Sequence, residues 1–309
     1  MRPRNLQNQL ISAAADLARV GVNILQHEPL SWHTSFGIGG PADIFVSPKT
    51  IEEFITILNY SWLTGLPTKV IGYGSNLLVR DHGFRGLVIY TGCIQRYRIY
   101  AAGLIEADTG ASLRSLSMAA AENGLSGLEF AAGIPGTVGG AVIMNASSGG
   151  DAMCSATARV QVIGPSLKRV WLDNSECRCG YSTSRFRTSS DSILRVILRL
   201  QPGYSPSQIL RETYRRLAAK SATQPLVAHC AGSTFLNPDG VSAGRLIEEA
   251  GLKGSTRGGA VVSFRHAGFI INRCNASAND VLKLIDHVRV IVLRHLGFTL
   301  DLEIEDMGE

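Results

Sequence analysis

Two glycine-rich stretches carry the residues whose type and spacing could do chemistry. From Phe130 to Gly150 there is no Asp, Glu, Lys or Arg, and the run holds six glycines and Pro135. Within it, GIPGTVGGAV (133–142) reads as a loop whose bare backbone turns N–H groups towards an anion, with a helix start behind it. A second stretch, GYGSNLLV (72–79), follows a strand-like segment; Gly72 and Gly74 bracket a tight turn, and Ser75 and Asn76 offer polar contacts. The two loops stand about sixty residues apart. Together they point to one extended nucleotide cofactor held from two sides.

Other readings of these loops fare less well. A membrane helix of about 20 residues would not contain six glycines, a proline, Asn145 and paired serines. Gly136 and Gly140 match a GxxxG helix contact, but Pro135 and Gly139 weaken any helix there, so close packing against a neighbour is the structural alternative. GIGGPA (37–42) runs through Pro41 into a strand, which excludes a dinucleotide fingerprint. No phosphate loop ending in Gly-Lys-Ser/Thr, no nucleophile elbow and no HExxH occurs.

The elements that must position these loops follow from local signals. KTIEEFITILNYSWLTG reads as a helix with Thr50 as N-cap and Glu53 completing a capping box. TKVIGYG is strand-like, YAAGLIEADTGA resembles a strand pair, and SLRSLSMAAAENG is a helix closed by Gly124. Short strands are expected near 158–163, 168–172 and 192–200. LQPGYSPSQIL, with two prolines and a glycine, marks a domain boundary. Beyond it come helices at 207–219, 243–250 and about 279–295, the last ended by Gly297, and TLDLEIEDM as a closing strand. Helices and strands mix without strict alternation, so the fold class is α+β.

Composition bounds the function. The chain has 309 residues, 45% apolar and 18% charged, enough for a sizeable core. The net charge of +5 is scattered. Its densest cluster, Arg211, Arg215, Arg216 and Lys220, reads as a solvated helix face, which argues against a nucleic-acid partner. Asp16 and Arg19 interrupt the N-terminal apolar residues before a signal peptide could form, so residues 1–30 read as a helical segment and the chain as cytoplasmic, without membrane insertion. Six cysteines show no paired metal spacing, the histidines are dispersed, and no metal is expected; ordinary reduced thiols are.

Six motifs, HTSFGIGGPAD (33–43), GYGSNLLVRDHGFRGLVI (72–89), GLSGLEFAAGIPGTVGGAVIMNA (124–146), AGSTFLNPDG (231–240), AGRLIEEAGLKG (243–254) and HAGFIIN (266–272), resemble in order those of the UDP-N-acetylenolpyruvoylglucosamine reductase family. The resemblance implies an FAD-binding region of two subdomains (31–203, divided near 90), of the vanillyl-alcohol-oxidase (PCMH) type, and a C-terminal α+β substrate domain (204–309). There is no room for the additional loop of the family's longer class. The implied activity is NADPH-dependent, FAD-mediated reduction of the enolpyruvyl ether to UDP-N-acetylmuramate, a step of peptidoglycan synthesis.

By the same resemblance, Gly72, Tyr73, Gly74, Ser75, Asn76 and Leu77 hold one part of FAD, and Gly133, Ile134, Pro135, Gly136, Gly139, Gly140 and Ala141 line its diphosphate and isoalloxazine side. Ser233 matches the proton donor, Glu303 the C-terminal catalytic glutamate, and Tyr181 and Asn237 substrate-binding positions. Two departures stand out. Ser182 follows Tyr181 where the family has arginine, and Leu236 replaces a usual lysine. The segment reads as a strand, whose alternating faces set Arg185, three positions on, opposite position 182. An oxidase of the same fold, or a catalytically weakened binding paralogue, is the alternative these departures leave open.

Overall fold

The computed structural model describes residues 3–19 and 21–309, so residues 1, 2 and 20 of the expected N-terminal segment lie outside the described residues. Helix covers Pro3–Arg19, after which Gly21 takes a left-handed φ of 81° and Ile24–Pro29 is a strand, where a helical segment was expected through residue 30. By its contacts the chain divides into two units. One contains Met1–Leu25, Ile44–Tyr73 and Gly86–Lys220; the other contains Gln26–Asp43, Gly74–Arg85 and Ser221–Glu309.

In the first unit, the helix Ile51–Thr64 begins as expected at Thr50, whose hydroxyl accepts from Glu53 N at 3.1 Å. The Glu53 carboxylate reaches back to Lys49 N at 2.8 Å, one residue further than a strict capping box. Thr50→Ala is expected to cost about 1 kcal/mol, read as a lower urea midpoint with an unchanged slope. The apolar face of this helix, Phe54, Ile57 and Leu58, packs with Ala13, Leu17, Ile44, Leu87 and Ile89. The parallel strands Thr68–Ile71 and Phe84–Tyr90, paired from Thr68↔Leu87 to Ile71↔Tyr90, run through this core and deliver the chain to Gly72.

A second core in the same unit sits on a five-stranded antiparallel sheet, in the order Arg169–Asp173, Thr157–Ile163, Ser192–Arg199, Leu104–Asp108, Tyr97–Tyr100. The expected short strands are in it; of the strand pair expected in YAAGLIEADTGA, that segment supplies Leu104–Asp108, and the partner strand lies earlier, at Tyr97–Tyr100. The helix Leu113–Glu122 ends with Leu125 N donating to Ala120 O and Gly124 N to Ala121 O, a Schellman closure that needs Gly124 at φ 68°.

Two expectations are corrected here. Cys154 and Cys179, 25 positions apart, form a disulfide with their Cα atoms at 6.5 Å, leaving four free thiols where six were expected. The pairing depends on the tertiary return of the chain, which spacing does not encode. The Tyr181–Arg187 segment is not a strand: Gly180 and Thr183 pair across a tight turn, Ser182 has φ 49°, and a single 3-10 turn covers Arg185–Arg187. The alternation rule that set Arg185 opposite Ser182 therefore does not apply.

In the second unit, a small antiparallel sheet, Thr256–Arg257, Ala260–Val262 and Ile270–Asn272, packs with the helices Ala243–Glu249 and Ala278–Leu296. Leu246, Ile247, Val281, Leu284, Ile285 and Val288 supply the buried helix faces, and Gly297 at φ 76° stops the long helix. The closing strand forms at Glu305–Met307 and pairs in parallel with Leu77–Val79. Arg80 clasps Asp306 by donating from both Nε and Nη2, fixing that register.

Candidate active site

In the first unit the two glycine loops meet. A Cβ on Gly72 would lie 2.5 Å from Thr137 Oγ1, so only a bare backbone lets the turn approach the 133–140 loop this closely. Tyr73 lies against Tyr90 with ring centroids 6.4 Å apart and accepts from Gln95 Nε2 at 3.1 Å. Burial pushes its phenol up, with Cys93 adding a smaller push.

The helix Val138–Met144 starts at Thr137, whose hydroxyl accepts from Gly140 N at 3.3 Å. Val138 N donates to Ala111 O and Gly139 N to Thr109 O, at 2.9 and 2.8 Å. The expected presentation of this helix start to an anion is thus corrected for these three amides: those of Val138 and Gly139 bind the loop to its neighbours, and that of Gly140 is capped by Thr137 within the loop. Gly139 is needed for that packing, since a Cβ there would fall 2.0 Å from Thr109 Oγ1. Gly140 is different: the nearest atom to its Cβ position is Thr137 Oγ1 at 3.4 Å. Gly136 has φ 126°, Ile134 packs on the sheet core, and Ala141 is buried.

Lys220 is a residue that sequence reasoning misplaced. A Cβ on Gly133 would lie 2.9 Å from Lys220 Cδ, so the lysine stem covers this glycine. Burial pulls the ammonium down to about 8. Arg215 and Arg216 do pair with Glu212 on the helix surface, whereas Lys220 continues the inward stripe of Ile209, Thr213 and Leu217. That spacing of four, four and three was the available signal.

Asn145, in the left-handed region, ties this loop to the Tyr181 segment. Its Nδ2 donates to Gly180 O at 2.9 Å and its Oδ1 accepts from Cys154 N at 2.9 Å. Tyr181 is exposed and Ser182 buried. Arg187 Nη1 donates to Ser182 O at 3.3 Å, while Arg185 is paired with Asp191.

The second unit brings the rest together. Gly74, at φ 60°, leaves no space for a Cβ, which would sit 2.2 Å from His33 O. Ser75 follows in the turn, and Leu77 opens the strand. Asn76 Nδ2 donates to Glu303 O at 3.1 Å, and Glu305 N to Asn76 O at 2.8 Å. Glu303 N in turn donates to Thr234 O at 3.0 Å, beside Ser233, and a bridge pairs Phe235 with Leu302. Three motifs far apart in sequence, around Asn76, Ser233 and Glu303, are therefore one constellation. Ser233 is half-buried, with Oγ 3.5 Å from Phe235 O. Asn237 is exposed, and its Oδ1 accepts from Ala243 N at 2.9 Å, which fixes its carboxamide on the next helix.

A family model described as an FAD binding domain matches residues 42–165, and with the relatives that follow it makes the chain an FAD-dependent oxidoreductase of α+β fold. A second model, the C-terminal domain of UDP-N-acetylenolpyruvoylglucosamine reductase, matches residues 224–307. Relatives bearing that enzyme's name are 40% identical in Carboxydothermus hydrogenoformans, over 94% of this chain and 96% of theirs, and 44% identical in Moorella thermoacetica, over 93% and 94%. The crystal structure of UDP-N-acetylenolpyruvylglucosamine reductase from Thermus caldophilus superposes with a TM-score of 0.79 at 36% identity, covering 93% of this chain and 99% of that one. The chain belongs to the UDP-N-acetylenolpyruvoylglucosamine reductase family. No helix among the described residues is long and apolar enough to cross a membrane.

Proposed function

We propose that this chain reduces UDP-N-acetylenolpyruvoylglucosamine to UDP-N-acetylmuramate with NADPH, in peptidoglycan synthesis. The observation that carries the reading is the backbone link from Glu303 N to Thr234 O, which sets the C-terminal glutamate beside the serine motif. The loops leave room for FAD at Gly140, whose Cβ position meets nothing closer than Thr137 Oγ1 at 3.4 Å, whereas the Cβ positions of Gly72 and Gly74 are filled by Thr137 and His33 of the protein. When bound, FAD would supply hydride transfer from NADPH to the terminal enolpyruvyl carbon.

The chain's own residues complete the reaction. Ser233 gives a proton to the adjacent carbon, and Glu303 resupplies the hydroxyl. Asn237 and Tyr181 hold the substrate. Charge builds on the substrate carboxylate as an enolate, and Arg187, whose Nη1 donates to the Ser182 carbonyl, is the cation that takes the part of the family's arginine at position 182. Since the amides of Val138, Gly139 and Gly140 are used within the protein, those of Gly136 and Thr137 take the diphosphate, with Lys220 as its cation.

Lys220 gives this reading a pH signature. An anion bound beside the ammonium raises its pKa above the ligand-free value of about 8, so binding takes up a proton. FAD affinity is expected to fall as pH rises above about 8, by up to about tenfold per unit. Calorimetric titrations across that range should show the slope in the parent and lose it in Lys220→Met. An identical slope in the variant removes Lys220 from the site.

The function itself is tested by following NADPH oxidation with and without UDP-N-acetylenolpyruvoylglucosamine. Turnover that requires this substrate is expected. Oxygen consumption without it selects the oxidase, and a yellow protein inert to both selects the weakened paralogue.

A further inference from the structure

The Cys154–Cys179 disulfide joins the chain just beyond the uncharged run to the segment carrying Tyr181 and Ser182. Three hydrogen bonds converge on the same junction: Asn145 Nδ2 to Gly180 O, Cys154 N to Asn145 Oδ1, and Ser184 Oγ to Ile143 O at 2.7 Å. Past Cys179 the chain is a tight turn with Tyr181 and Thr183 exposed and Ser182 left-handed, not a strand of the sheet. The junction and the Arg187 Nη1 bond to Ser182 O are what hold it in place. Cys154 is buried and Cys179 half-buried, so Cys179 Sγ is the more approachable sulfur. Cys177, two residues earlier, is buried with its thiol pushed up by that burial, which makes it a poor competitor in exchange.

We propose that Cys154–Cys179 is a reversible redox-modification site, opened by thiol–disulfide exchange with a dithiol reductant, and that opening it loosens the Gly180–Ser184 turn. A thiolate of the reductant attacks Cys179 Sγ, the disulfide breaks, and Cys154 leaves as a thiolate that takes up a proton. The second thiol of the reductant then closes on the mixed disulfide, releasing Cys179 as a thiol and the reductant as its own disulfide. Two electrons and two protons pass to the chain. The modification does not depend on the reaction assigned above; its effect on substrate binding rests on that reading, because Tyr181 belongs to the proposed substrate site.

The test uses the full chain with the exposed thiols removed, Cys93→Ser and Cys274→Ser. Samples equilibrated with dithiothreitol or with its oxidised form are alkylated and weighed intact, and amide hydrogen exchange is measured on peptides covering 180–187 in parallel. Reduction is expected to add two alkyl groups and to speed exchange in those peptides at least about tenfold, both reversed on reoxidation. Adding Cys154→Ser and Cys179→Ser should fix the fast-exchanging state in either buffer. Should that variant not fold, the comparison of the two redox states of its parent still decides. Equal alkylation in both buffers, or equal exchange in both redox states, overturns the proposal. Neither readout involves substrate, so a failure of the assigned reaction leaves this result standing.

Discussion

Ser233→Ala is expected to slow reoxidation of the reduced flavin by substrate about 10²- to 10⁴-fold, the usual contribution of a positioned proton donor. Reduction of the flavin by NADPH should be unchanged, because that half-reaction needs no proton from the serine. The fold should also survive. Ser233 Oγ lies 3.5 Å from its nearest described partner, Phe235 O, too long a contact to contribute much stability. Stopped-flow traces of the two half-reactions separate these effects. A variant slow in both, or in neither, would remove Ser233 from its role.

Gly139→Val is expected to abolish cofactor retention by a different route. The new Cβ would meet Thr109 Oγ1 at 2.0 Å and Thr109 O at 3.0 Å, so the loop must move off the protein that positions it. Overpacking of this kind costs about 1–3 kcal/mol, and FAD should dissociate on gel filtration. Gly140→Ala is the discriminating partner. It meets Thr137 Oγ1 only at 3.4 Å and replaces a helical glycine, so the ligand-free protein should gain up to about 1 kcal/mol. If bound FAD lies against this backbone, the added methyl should nonetheless weaken binding. A Gly140→Ala protein with parental FAD affinity would mean that FAD does not lie against this backbone.

What the sequence made legible was local. Thr50, Gly124 and Gly297 set helix ends through bonds within a few residues of themselves, and all three stand where those signals put them. The glycine loops were visible because an uncharged run in a charged chain is conspicuous. Their division of labour was not: whether a glycine admits a ligand or a neighbour depends on Thr109 and Thr137, which tertiary structure brings alongside. The link from Asn76 to Glu303 joins residues 227 positions apart, and no periodicity reports it. Lys220 was misread because its neighbours Arg211 and Arg215 do face solvent, and charge type outweighed the helical stripe that carries it inward. Reading Tyr181–Arg187 as a strand failed for a similar reason. A turn pinned by Asn145 and a disulfide overrides the local preference.

The most direct test of the central claim is an anaerobic single turnover. The FAD-loaded protein is reduced with one equivalent of NADPH, mixed with UDP-N-acetylenolpyruvoylglucosamine, and followed at the flavin absorbance. Full return of the oxidised flavin spectrum, with one UDP-N-acetylmuramate formed per flavin, is the expected result. A flavin that stays reduced until air is admitted would contradict it.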